Sequence, residues 1–88
     1  MDPDADELLR RYPRETLRWL RRRLGLSQLA LALDLAARPE SVAAWETRRH
    51  GISPPYRAQL AALLAPQLAT PEGAAFARAL AEQEGRAQ

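Results

Sequence analysis

The chain has no cysteine, one histidine, one valine and one isoleucine among its 88 residues. Without thiols it forms neither a disulfide nor a thiolate metal site. His50 stands alone, with no cluster of ligands near it, so neither a metal nor another cofactor is expected. The near-absence of β-branched aliphatics removes the residues that strands favour. In their place stand 18 alanines and 15 leucines, both strong helix formers. That is the composition of an all-α protein. Apolar runs are short, and none approaches the ~20 residues needed to cross a bilayer. The acidic start, MDPDADELL, carries the wrong charge for a signal peptide, so a cytoplasmic location is expected. A nucleophile–base pair, a carboxylate cluster and a glycine-rich phosphate loop are all missing, which makes an enzyme the weakest reading. The length fits one domain, residues 1–88, with a modest core.

What charge there is lies unevenly. Residues 10–57 hold eleven arginines against Glu15, Asp34, Glu40 and Glu46, a balance of +7, while residues 1–9 contribute −4 and residues 58–88 contribute −1. A basic centre between acidic ends is an electrostatic footprint for nucleic acid. Taken alone, the run Arg21-Arg22-Arg23 reads more simply as the solvated face of a helix.

The stretch from Leu26 to Gly51 organises the rest. Ser27 is an N-cap for a helix that continues through Leu35, with Leu31, Ala32 and Leu35 on its buried face. Ala36-Ala37-Arg38 leaves room only for a turn. Pro39 restarts a helix at its first position, where a fixed φ is an advantage and a missing N–H is no loss. Val42, Trp45 and Glu46 return to one side of this second helix, while Glu40, Ala43, Ala44 and Thr47 face away. Arg48-Arg49-His50-Gly51 closes it with positive charge and a glycine. Helix, short turn, helix and basic exit is the construction of helix-turn-helix DNA readers.

These residues carry a resemblance. The run LGLSQ, followed by Leu31-Ala32, Leu35 and Val42-x-x-Trp45-Glu46, resembles the XRE family of Cro and lambda-repressor-like helix-turn-helix domains. The similarity reaches back to Leu17, Leu20 and Arg21 and forward to Pro54 and Leu60-x-x-Leu63-Leu64. It covers roughly residues 14 to 65. It implies five to six helices, double-stranded DNA as ligand, a homodimer and repressor-like transcription regulation. It also implies a buried ion pair between Arg21 and Glu46.

The flanks follow the same logic. Asp2-Pro3 starts a short helix reaching Arg11, with Leu8, Leu9 and Tyr12 toward the body, so that residues 1–12 form an N-terminal extension. The helix-turn-helix core spans 13–65. Pro13 opens its first helix, which runs through Leu24 with Leu17, Leu20 and Leu24 buried, and Gly25 breaks it. Trp19 lies off that stripe and is expected to receive the N-terminal helix, or to serve as an exposed anchor for a partner. Ser53 and Pro54 begin the next helix, with Tyr56, Leu60, Leu63 and Leu64 inward and Pro66 as its stop. Thr70-Pro71 opens a last helix within 66–88, ending near Gly85, with a narrow stripe of Phe76, Ala79 and Leu80. Related repressors use this helix for dimerisation, and here it either does so or closes the core.

By the resemblance, Gln28 holds a phosphate at the start of the first helix of the motif. Arg38 clamps a phosphate or donates to a guanine, and Arg48, Arg49 and His50 meet the backbone beside the groove. The groove-facing set is Glu40, Ser41, Ala43, Ala44 and Thr47, where the family often has Gln, Ser, Arg or Asn. Glu40 can accept from a cytosine amino group and the alanines can touch thymine methyls. Ala36 stands where the turn often has glycine, and Arg38 where a Ser or Thr cap is common. Leu29 and Leu33 depart further: one turn apart and off the buried face, they stand where polar residues are usual. Either an extension of the chain covers them or they anchor another helix. Two functions of different class are therefore expected. One is a sequence-specific DNA-binding regulator with helix 39–48 in the major groove. The other is an interaction module or antitoxin that binds a toxin, a polymerase subunit or another regulator through Leu29, Leu33 and Trp19, with Phe76 and Leu80 as further candidates.

Overall fold

Helix starts are written into the chain by caps and prolines, and six helices follow from them. The computed structural model describes residues 4–47 and 51–87. In chain order these are α1 (Ala5–Arg11), α2 (Pro13–Leu24), α3 (Gln28–Leu35), α4 (Pro39–Thr47), α5 (Pro54–Leu68) and α6 (Pro71–Ala87). No strand occurs among the described residues. No helix is long and apolar enough to cross a membrane.

Each start has a local cause. The Asp4 carboxylate accepts from the Glu7 N–H at 2.8 Å, so α1 is capped there; Asp2-Pro3 lies outside the described residues. Pro13 opens α2, and Gly25 ends it in the left-handed region at φ 68°, where glycine carries no Cβ penalty. The Ser27 hydroxyl accepts from Ala30 N–H at 3.0 Å, and the Thr70 hydroxyl from Gly73 N–H at 3.0 Å. Ser53 occupies the cap position of α5, yet its hydroxyl makes no capping bond. Prolines at 54 and 55 leave the second helical residue without an N–H to offer it.

The larger core gathers Leu9 from α1, Leu17 and Leu20 from α2, Leu31, Ala32 and Leu35 from α3, Val42 and Trp45 from α4, and Leu60 and Leu64 from α5, with Ile52 from the loop. A smaller cluster joins Leu8 to Ala77 and Leu80 of α6, with Tyr12, Leu68 and Phe76 around it. Thr16, unremarked in sequence, is fully buried and donates its hydroxyl to the Leu8 carbonyl at 3.3 Å.

Several expectations are corrected. Pro66 does not stop α5, which runs two residues further. A proline in the last turn costs only the bond to the Ala62 carbonyl, and Leu68 beyond it gains packing against both clusters. Helix α6 continues past Gly85 to Ala87. Its inward face is Gly73, Ala77 and Leu80, with Phe76 half-buried and Ala79 exposed. Leu63 is exposed at 38%, because Leu60 and Leu64 already fill the inward stripe. Trp19 stacks on Phe76 of α6, with centroids 4.7 Å apart and planes 9° from parallel, so the C-terminal helix is a partner that the sequence did not indicate.

The ends of the chain are tied together by polar contacts. Glu84 accepts from both Tyr12 and Arg11, and Arg11 also reaches Glu7 at 3.3 Å. The Tyr12 hydroxyl, then the Arg11 guanidinium, hold the Glu84 carboxyl below its ordinary range. Arg57 Nε donates to Asp6 Oδ1 at 2.8 Å, linking α5 to α1.

Gly73 lies hard against the end of α5. A Cβ there would overlap the Gln67 carbonyl oxygen and lie 2.5 Å from Leu68 Cα, which is main chain and cannot swing aside. Gly85 faces open space. Gly85→Ala is therefore expected to raise stability by up to about 1 kcal/mol through helix propensity. Gly73→Ala is expected to lower it by about 2 kcal/mol despite the same gain. Thermal denaturation of the two variants beside the parent checks the pair, and equal shifts would contradict the close approach.

Candidate nucleic-acid interface

The geometry begins with the short link between α3 and α4. Helix α3 ends at Ala36, which adopts φ 54° and ψ 36°. For a residue with a Cβ this conformation costs roughly 1–2 kcal/mol. It persists because the Ala36 and Ala37 N–H groups return to the Leu33 and Ala32 carbonyls at 3.2 and 2.9 Å. Ala37 and Arg38 complete the turn, and the Arg38 carbonyl accepts from Ser41 N–H at 3.0 Å as α4 begins. A three-residue turn thus joins two helices that pack against each other.

Helix α4 is anchored on one face. Val42, Trp45 and Glu46 are buried, and the Trp45 ring meets Tyr56 of α5 at 5.4 Å. Glu46 is 1% exposed and carries the polar anchor. Arg21 Nε donates to its Oε2 at 2.9 Å and Nη2 to its Oε1 at 3.0 Å. The remaining Arg21 nitrogen, Nη1, donates to the Leu26 carbonyl at 3.1 Å. Arg18, one turn earlier on α2, adds a second cation 3.6 Å from Oε1. These bonds hold the Arg21 guanidinium still further above its already high pKa, chiefly through Glu46. The arginine run is thus divided: Arg21 turns inward, while Arg22 and Arg23 stay exposed, with Arg23 over the Trp19 ring.

The opposite face of α4 is open. Glu40 and Thr47 are exposed, and Ser41, Ala43 and Ala44 are half-buried. Arg38 is exposed in the turn. Arg38, Glu40, Ser41 and Ala44 share a groove of about 430 Å³ whose far wall is Ser53 and Tyr56. Glu40, Ala43, Ala44 and Thr47 line a neighbouring concavity of about 290 Å³. The α5 wall is new: the Ser53-Pro54-Pro55-Tyr56 pattern reads as a helix start, and nothing in it signals which neighbour it faces. Gln28 is half-buried at the first position of α3 and lines neither concavity. Arg48, Arg49 and His50 lie outside the described residues.

The residues considered for protein contact separate into two groups. Leu80 is 4% exposed inside the small cluster, and Trp19 and Phe76 cover one another. Leu29 and Leu33 are 55% and 72% exposed, and none of the described terminal segments covers them.

Compared with known proteins, the chain matches no family model, no curated protein and no solved structure. The reading of the site therefore rests on its own residues.

The anchor of α4 makes an asymmetric prediction. Arg21→Ala removes both hydrogen bonds to an almost fully buried carboxylate and leaves it only Arg18 at 3.6 Å, and is expected to cost up to about 3–5 kcal/mol. Glu46→Gln leaves Arg21, which is 20% exposed, with water and the Leu26 carbonyl as partners, and is expected to cost less. Urea denaturation measures both. A near-neutral Arg21→Ala would show that the pair does not hold α4.

Proposed function

We propose that the chain is a DNA-binding transcription regulator of the XRE helix-turn-helix type, repressor-like, with α4 in the major groove. The observation that carries this reading is the position of α4: clamped on one side by Arg21 and the core, and open on the other from Glu40 to Thr47. An isolated nine-residue helix is marginal in water, and this one is made rigid by tertiary contacts before any ligand arrives. Rigidity of the reading element is what groove recognition needs, since ordering it on binding would cost affinity. The arginine-rich centre supplies the sequence-independent attraction to phosphates. The reading face is short, so useful specificity requires two copies on paired half-sites, and the proposed regulator acts as a homodimer.

The test is selection from randomised duplexes at near-physiological salt. An inverted repeat with half-sites about one helical turn apart is the expected result. Arg38→Ala should then weaken binding to the selected duplex and reduce the slope of log affinity against log salt by about one. An unchanged slope would remove Arg38 from the phosphate contacts.

A second reading is favoured by the uncovered Leu29 and Leu33, which sit one turn apart on α3 and form an apolar anchor for a helix of another protein. An antitoxin or adaptor role would use that face, and it is compatible with DNA on α4. Because both leucines are exposed, Leu29→Glu with Leu33→Glu is expected to leave helical content and melting temperature nearly unchanged. Loss of the fold in that double variant, seen by circular dichroism, would mean that the leucines belong to the core and would end this reading.

A further inference from the structure

We propose that the exposed face of α4 reads pyrimidine edges, taking cytosine through Glu40 and a thymine methyl through Ala43 and Ala44; this rests on the assignment of α4 to the major groove. The argument is one of chemical type. Glu40, Ala43, Ala44 and Thr47 together line a single concavity, and Ser41, half-buried, lines the adjoining groove. The Glu40 carboxylate is exposed and makes neither a hydrogen bond nor an ion pair with a described residue, so its lone pairs are available. The Thr47 hydroxyl donates to the Ala43 carbonyl at 2.7 Å, and its one hydrogen is therefore committed within the helix. The face thus presents an acceptor, methyl groups and no pair of donors.

Guanine shows two acceptors in the major groove, N7 and O6. The helix face itself offers it no pair of donors, only the single Ser41 hydroxyl at its edge, while Arg38 lies before the helix on the phosphate side. Adenine offers its N6 amino group beside the N7 acceptor, which repels an approaching carboxylate. Cytosine offers the N4 amino group beside a C5–H, and nothing there opposes Glu40. Thymine adds a 5-methyl group that an alanine side chain can meet without a polar mismatch. Glu40 and Ala44 are one turn apart, a rise of about 6 Å along the helix, which corresponds to between one and two base steps. The pattern is a cytosine with a thymine within two steps of it. Arg38, on the same groove as Glu40, places a cation where the carboxylate must pass the phosphates. An acidic reader can therefore approach the duplex.

The experiment compares the parent with Glu40→Gln in the randomised-duplex selection, followed by binding to the selected duplex and its single-base variants. Glu40 has no described partner to lose, so circular dichroism of Glu40→Gln should match the parent. The parent is expected to enrich a cytosine at one position of each half-site. Replacing that cytosine should cost about tenfold in affinity. Replacing the neighbouring thymine by uracil, which removes only the methyl group, should cost a few-fold. In Glu40→Gln the cytosine preference should vanish or move to adenine, which a glutamine amide can meet with two hydrogen bonds. If both proteins enrich the same base at that position, or the parent selects a guanine-centred motif, Glu40 is not the reader and the inference falls while α4 keeps its place in the groove. Failure of the parent to enrich any duplex would remove the assignment of α4 itself, and this inference with it.

Discussion

The Arg21–Glu46 pair is the constraint on which the arrangement of the other helices depends. A carboxylate that is 1% exposed must be met by a cation, and the planar guanidinium meets it with two parallel bonds. The third bond, to the Leu26 carbonyl, draws in the link between α2 and α3. Three segments are therefore fixed relative to one another by a contact that fits in only one register. The rest of the core is mostly leucine and alanine, with Val42, Trp45 and Ile52, and apolar side chains of this kind tolerate volume-conserving repacking. Apolar burial supplies the larger share of the free energy, while the ion pair ties α4 to α2 at one defined contact. That division explains how a small Ala/Leu-rich domain holds a nine-residue helix in a defined position.

The electrostatic footprint is also sharper in three dimensions than along the chain. Arg11 and Arg57 are engaged by Glu7, Glu84 and Asp6, so part of the central excess is spent on joining the acidic ends to the body. Arg21 and Arg18 are directed at Glu46. Arg10, Arg14, Arg22, Arg23 and Arg38 remain exposed without an ion-pair partner among the described residues. A count of charges overstates the positive surface, because it ignores which cations are already neutralised.

Features with a local cause were legible in the sequence. Ser27 and Thr70 cap because a hydroxyl needs only the next turn to act on, and Gly25 ends α2 because the left-handed position asks for a missing Cβ. The buried sets Leu31/Ala32/Leu35 and Val42/Trp45/Glu46 follow from helical period alone. What escaped depends on which helices meet. Gly73 looks like any helical glycine until α6 crosses the end of α5. Trp19 could face either terminal helix, and its choice of Phe76 is decided by the placement of α6. The groove joins α4 to Ser53 and Tyr56 on the far side of the α4–α5 link, through a tertiary contact with no sequence period. Pro66 misled because its penalty falls at a helix end, where packing of Leu68 outweighs it.

The two separate apolar clusters have a consequence for how the chain opens. Helix α6 rests on the smaller one, seated through Gly73, Ala77 and Leu80 and held at its far end by Glu84. The α3–α4 pair belongs wholly to the larger cluster. Lifting α6 therefore exposes the Leu8 side of α1 while α4 keeps its anchor on Arg21. Such a molecule has a graded rather than uniform resistance to solvent. Amide protons of α6 are expected to exchange through a partial opening that breaks the Trp19–Phe76 stack, ahead of those of α2 through α4. The part that would hold DNA is then also the last part to be lost.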